Sequence, residues 1–159
     1  SVSTSASAAG ASSAASSDSA LFKFAFVRNP WDLQVSSYHH IRRERPQLMK
    51  PNESFAEFLH RKLDPDREWQ YHIDTSITPQ SNYLVDLNGE LIVDFIGHYE
   101  TLQQDFDHCC KTIGIPKVEL PHKRKAGDRL AYREYYTPET QALVESAFAR
   151  DIELLGYTF

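Results

Sequence analysis

Arg28 and Ser36 stand eight residues apart in the run Phe26-Val27-Arg28-Asn29-Pro30-Trp31-Asp32-Leu33-Gln34-Val35-Ser36-Ser37-Tyr38. Residues 22–27 form a short aromatic and β-branched run that reads as a buried strand. Behind it, Asn29 suits an N-cap, Pro30 the first helical position, and Asp32 puts negative charge in the first turn. Arg28 therefore sits where a strand stops and a helix begins. A helix start presents unpaired backbone N–H groups and the positive end of the helix dipole, an arrangement that binds anions. A guanidinium matches phosphate oxygens with parallel hydrogen bonds, and the Ser36 hydroxyl, two turns along the helix, adds another donor. The competing reading is a structural ion pair for Arg28 and a solvent-facing Ser36.

Other chemistry-bearing residues fall into three groups. His122-Lys123-Arg124-Lys125 lies in a basic, glycine-containing loop over residues 121–133, on a chain whose formal net charge is -5. These adjacent cations either face an anion or repel one another in solvent. Arg42, Arg43 and Arg45 follow the first helix, where they serve an anionic acceptor such as a sulfated or uronate-bearing sugar, or simply form a polar helix end. His39, His40 and His98 have the chemistry of a general base. Nothing in the spacing selects one of them, and no catalytic residue is assigned.

Cys109 and Cys110 are the only cysteines. Neighbours on one backbone are badly placed to bridge each other, and two alone make a poor metal site. They fall on the apolar stripe of a helix and read as core, in a reducing compartment. Trp31 and Trp69 likewise read as buried aromatics rather than stacking platforms.

Positioning these residues takes a set of elements. Helices are expected over 30–43 and 54–63, the second capped by Ser54 with Phe55, Phe58 and Leu59 inward. Residues 64–80, with Pro65 and Pro79, look irregular. Asn88-Gly89 between 82–86 and 91–96 signals a hairpin. Leu102, Phe106, Cys109, Cys110 and Ile113 give helical spacing over 101–113, stopped by Gly114. A last helix starts at Thr137-Pro138 and runs to about Leu155, with Leu143, Val144, Ala147, Phe148, Ile152 and Leu155 inward.

Residues 1–20 are a Ser/Ala tract with almost nothing to bury. Disorder, a weakly docked helix or a damaged start is expected there, and the folded domain is placed at 21–159. A chain of 159 residues, 41% hydrophobic and 25% charged, suits one soluble domain. It has no apolar run near the roughly 20 residues of a membrane-spanning helix and no signal-peptide pattern. Its acidity argues against a general nucleic-acid binder. The fold class expected is α/β, a small parallel sheet flanked by helices.

The segment holding Arg28 and Ser36 resembles the 3′-phosphate-binding segment of sulfotransferases that use 3′-phosphoadenosine 5′-phosphosulfate (PAPS), particularly their carbohydrate and bacterial branch. Residues 93–102, VDFIGHYETL, resemble the family's D-F-I-G-R-x-E-x-L strand-to-helix segment. Residues 132–157 resemble its C-terminal segment, with Tyr135-Tyr136 before the helix, then Asp151, then Gly156-Tyr157. The resemblance covers about residues 18–159. It implies that Arg28 and Ser36 bind the 3′-phosphate of PAPS, and that Lys123, Arg124 and Lys125 reach the phosphates from a loop over the nucleotide. It also implies transfer of a sulfuryl group to a hydroxyl of a small molecule or glycan, leaving 3′,5′-ADP, with no metal. The fold implied is a P-loop-related nucleotide-binding one.

The chain departs from the family pattern in three places. His98 and Leu33 stand where the family usually has Arg. The family's P-K-x-x-G-T/S loop, which cradles the 5′-phosphosulfate, has no counterpart in residues 1–20, which contain neither Lys nor Pro. The N-terminal unit is therefore expected to be incomplete, as though its beginning were lost or replaced. Two rival readings follow: a non-catalytic fragment or pseudoenzyme that binds PAPS or 3′,5′-ADP, and a P-loop kinase-like enzyme, which the missing G-K-[ST] opposes. A cytoplasmic location is expected, or the Golgi lumen for a eukaryotic relative with a lost anchor.

Overall fold

A computed structural model describes residues 21–73, 76–121 and 129–159. Strand β1, Phe24–Val27, pairs in parallel with β2, Phe95–His98, in a register running from Phe24 opposite Phe95 to Val27 opposite His98. Parallel strands need a long crossover. Here it contains helices α1, Pro30–Glu44, and α2, Phe55–Leu63, followed by turns. After β2 come a tight turn at Tyr99–Thr101 and helix α3, Leu102–Ile113; helices α4, Pro138–Ala147, and α5, Ala149–Leu155, complete the order. The described residues thus have an α/β architecture with a two-stranded parallel sheet and flanking helices. No helix among them is long and apolar enough to cross a membrane.

Local chemistry sets the helix ends. The Asn29 side-chain oxygen accepts the Trp31 and Asp32 N–H groups at 3.0 and 3.3 Å, capping α1 one residue after Arg28. Ser54 and Glu57 form a reciprocal capping box on α2. Gly114, at φ 87°, stops α3.

Helix α1 is the centre of the core. Its Trp31, Val35, Tyr38 and Ile41 pack with Phe55, Phe58 and Leu59 of α2, Ile73, Val144 of α4 and Phe148. The other face of α1 carries Asp32, Ser36 and His39, only partly buried. Those positions follow the one-turn and two-turn spacing that lines up side chains on a helix surface.

Several expectations need correction. The strand at 22–27 is not buried throughout: Phe24 is 39% exposed and only Val27 is fully covered, since β1 has a partner on one edge alone among the described residues. The hairpin shrinks to a single antiparallel bridge between Val85 and Leu91. Its turn chemistry is present, with Gly89 at φ 81° and the Asp86 carboxylate accepting the Asn88 and Glu90 N–H groups. Residues 95–98, however, pair with β1, and Gln80–Tyr83 coils into a 3-10 turn. The final helix is interrupted at Phe148, at φ -120° and ψ 29°, where the ring sinks into the core. Ala147 and Ile113, expected inward, are exposed. Trp69, expected buried, is 85% exposed and stacks on His72.

Candidate functional site

Arg28 is the first residue beyond the β1–β2 ladder and the last before the α1 cap. Its guanidinium donates from Nε to Asp32 Oδ2 at 2.6 Å and from Nη1 to Ser36 Oγ at 3.2 Å. Its central carbon lies 4.1 Å from the centre of the Tyr99 ring, a cation–π distance. The remaining N–H groups of the guanidinium have no hydrogen-bond partner among the described residues. The Ser36 oxygen accepts from Arg28, which leaves its own proton to donate elsewhere. The structure brings Arg28 and Ser36 together, and the ion pair weighed against an anion site is there as well, with Asp32. The backbone of Arg28 is held too: its N–H donates to Gln80 Oε1 at 2.9 Å and its carbonyl accepts from Gln80 Nε2 at 2.7 Å.

A second guanidinium meets the first. Arg129 pairs through Nη2 with Asp32 Oδ1, so one carboxylate lies between two arginines that are 97 and 4 residues away from it. The three side chains are 16–17% exposed. Two cations and one anion leave the cluster one charge positive, in surroundings where partial burial strengthens electrostatics. Beside it lies a hollow of about 410 Å³ lined by Asn29, Asp32, Glu100, Arg129 and Tyr132. A neighbouring hollow of about 470 Å³ shares Glu100 and adds Tyr99, Gln103 and Leu120.

Glu100 ties the region together. Its Oε1 accepts the Asn29 backbone N–H at 2.7 Å and its Oε2 accepts the Tyr157 hydroxyl at 2.9 Å. Burial, then the bond to Glu100, pushes the Tyr157 phenol well above its usual range. A single carboxylate thus joins the Arg28 segment, the segment at 93–102 and the C-terminal segment.

No hydrogen bond ties the histidines into this cluster among the described residues. His39 Nε2 lies 2.9 Å from the Tyr135 hydroxyl. Burial lowers its pKa, and Arg129, Arg42 and Arg43 lower it further, which favours the neutral ring. The His98 backbone N–H donates to Asp105 Oδ2 at 2.7 Å, and its ring meets Tyr157 edge-on. No hydrogen bond joins His39, His40 or His98 to Arg28 or Ser36 among the described residues. Lys123, Arg124 and Lys125 lie outside the described residues. Of the arginines after α1, Arg42 donates to the Tyr38 hydroxyl at 3.3 Å and Arg43 pairs with Glu44 at 2.8 Å. Cys109 and Cys110 are buried free thiols, and burial pushes the Cys109 thiol up, away from the reactive thiolate. Among the described residues, no group of three or more His, Cys, Asp and Glu could hold a metal ion.

Gln80, Glu100 and Arg129 were not singled out from the sequence. Glu100 lies inside a segment that resembles the family, and Arg129 inside the basic loop, so both had a signal. Gln80 lies in the stretch read as irregular and had none.

Comparison with known proteins gives the family of the chain. An uncharacterized protein of Archaeoglobus fulgidus is 39% identical over 95 residues, which make up 59% of this chain and 68% of that one. No solved structure gives a significant match. The profile of the Sulfotransferase family spans residues 5–158, and so takes in every segment that meets at Arg28. By that match the chain belongs to the sulfotransferase family.

Proposed function

We propose that the chain binds PAPS by its 3′-phosphate and transfers the sulfuryl group to a hydroxyl acceptor, a carbohydrate by preference. One observation carries the reading: in a sulfotransferase family member, a guanidinium with uncommitted donors and a serine hydroxyl converge at 3.2 Å beside a helix start. Arg28 supplies charge-assisted hydrogen bonds to the phosphate, Ser36 a neutral one, and Arg129 further positive charge. Lys123, Arg124 and Lys125, just upstream of Arg129 in the chain, are assigned to the phosphates of the nucleotide.

In the transfer itself, the acceptor oxygen bonds to sulfur as the bond from sulfur to the 5′-phosphate oxygen breaks. The electron pair of that bond leaves with 3′,5′-ADP, and the hydroxyl proton passes to a base. Arg28 and Ser36 grip the donor at the 3′-phosphate, away from the reacting sulfur. Such remote binding energy serves to hold the sulfuryl group in line with its acceptor.

Calorimetric titration with 3′,5′-ADP and 5′-AMP, alongside a transfer assay from PAPS to sugar acceptors, tests the reading. The bisphosphate is expected to bind more tightly. Arg28→Ala should remove about 2–4 kcal/mol of that binding, the scale of a lost charge-assisted contact, and leave 5′-AMP unaffected. Equal affinity for the two nucleotides in the unmutated protein would end the proposal of a 3′-phosphate site. Binding without transfer would assign a nucleotide-binding module instead.

A further inference from the structure

We infer that Gln80 is a positioning residue for Arg28, itself fixed by Asp151; the inference rests on the 3′-phosphate reading above. The Gln80 side-chain amide bonds to both backbone polar groups of Arg28, at 2.9 and 2.7 Å. A carboxamide carries an acceptor and a donor in one plane, as a peptide group does, so it can take the place of a neighbouring strand. It does so one residue past the point where the real ladder stops, at Val27 opposite His98. β2 fixes the backbone up to Val27, and Gln80 carries that restraint through Arg28 to the cap at Asn29.

Gln80 is itself held at its own backbone. The Asp151 carboxylate, 1% exposed, accepts the Gln80 N–H on Oδ2 and the Ser81 N–H on Oδ1, each at 2.7 Å. Bonds to an ionised carboxylate are stronger than neutral ones. Asp151 lies in the first turn of α5, just after the break at Phe148 that starts this helix. The restraint therefore runs from α5 through the turn at Gln80–Tyr83 to the backbone of Arg28. No bond joins the Gln80 side chain to the guanidinium among the described residues, so Gln80 acts on the anion only through where Arg28 begins. Without the clamp, the Val27–Arg28 peptide loses its N–H partner and the Arg28–Asn29 peptide keeps only the bond from Asn29 to Glu100, so the Arg28 backbone loosens and the guanidinium can shift away from Ser36. A displacement of about 1 Å at a positioning group costs on the order of 100-fold at worst.

The test is the ratio of affinities for 3′,5′-ADP and 5′-AMP, measured by calorimetry on the full chain. Gln80→Leu should lower the ratio about tenfold, within that range, with 5′-AMP affinity unchanged. Gln80→Glu keeps an acceptor for the Arg28 N–H but not the donor to its carbonyl. It should lower the ratio in the same direction, and it carries the test should the leucine variant not fold. In an Arg28→Ala background, Gln80→Leu should have no further effect, because it acts through the residue already removed. A purely structural role predicts something else: both nucleotides weakened together and the ratio intact. An unchanged ratio in the folded Gln80 variants overturns this inference alone, as does an equal loss in the Arg28→Ala background. A ratio of one in the unmutated protein overturns it together with the 3′-phosphate reading.

Discussion

The Ser36 hydroxyl and the Arg28 guanidinium contribute unequally to any anion between them. Ser36 offers one neutral donor, whereas Arg28 offers charged donors fixed in a plane. Net contributions of neutral hydrogen bonds cluster near 1 kcal/mol. Ser36→Ala should therefore weaken 3′,5′-ADP binding by about 1 kcal/mol, clearly less than Arg28→Ala, with 5′-AMP unchanged in the same titrations. A loss as large as that from Arg28→Ala would mean that the substitution disturbs the helix start and not one hydrogen bond. Asp32 has the complementary task. Placed between Arg28 and Arg129, it lets two like charges share a partly buried place where they would otherwise repel. The Arg28–Ser36 pair was legible in the sequence because both ends lie within one helix and its lead-in, where spacing alone fixes geometry. The pairing of Arg129 with Asp32 was not, since the two are 97 residues apart and only tertiary structure joins them.

Among the elements, helix starts were legible and strand partners were not. Asn29, Ser54 and Thr137 cap the helices they precede, because capping is a bond between residues two or three apart. Strand pairing has no such local rule. Asn88-Gly89 gives a real turn, yet the residues after it bond to β1, some 70 positions upstream. That pairing depends on a detail spacing could not show: Gly97 sits opposite Phe26, and a Cβ added to Gly97 would overlap the Phe26 ring. Gly97→Ala should spread β1 from β2 and destabilise the fold by about 1–3 kcal/mol, the cost of overpacking. Urea unfolding of Gly97→Ala, Phe26→Leu and the double variant checks this. The double variant should be more stable than the sum of the single losses predicts, because a smaller side chain at 26 makes room for the methyl group. Strict additivity would show that the two residues do not crowd each other.

At the scale of the whole molecule, the segments resembling the sulfotransferases are three pieces of one junction, meeting at Glu100. A second junction was not read from the sequence. Lys62 of α2 is fully buried and donates to Gln34 and Ser37 of α1 at 2.8 and 3.1 Å, and to Ser76 at 3.0 Å. Its spacing from Phe55, Phe58 and Leu59 puts it on the inward face of α2, although its charge suits solvent. The amine fastens two core helices to the start of the segment that ends in Gln80, so its charge state bears on the frame of the site. Burial brings its pKa down from 10.5 to about 7. In the unfolded chain the amine keeps its proton to about pH 10.5. Between about pH 7 and 10.5 the unfolded state therefore binds more protons, and Lys62 makes stability rise with pH by up to about 1.4 kcal/mol per unit. Below pH 7 both states hold the proton, and the cost of burying the charge is felt in full. Cys109, Tyr136 and Tyr157 act in the opposite sense at alkaline pH, because burial raises their pKa values and the unfolded chain loses those protons first. Lys62→Met removes the first effect and keeps the second, so the comparison isolates the lysine. Measured by urea unfolding at pH 7 and pH 9, the stability of the unmutated protein relative to Lys62→Met should increase with pH. A difference that stays flat over that interval would mean the amine remains charged in the folded core, held by more than the three oxygens that surround it.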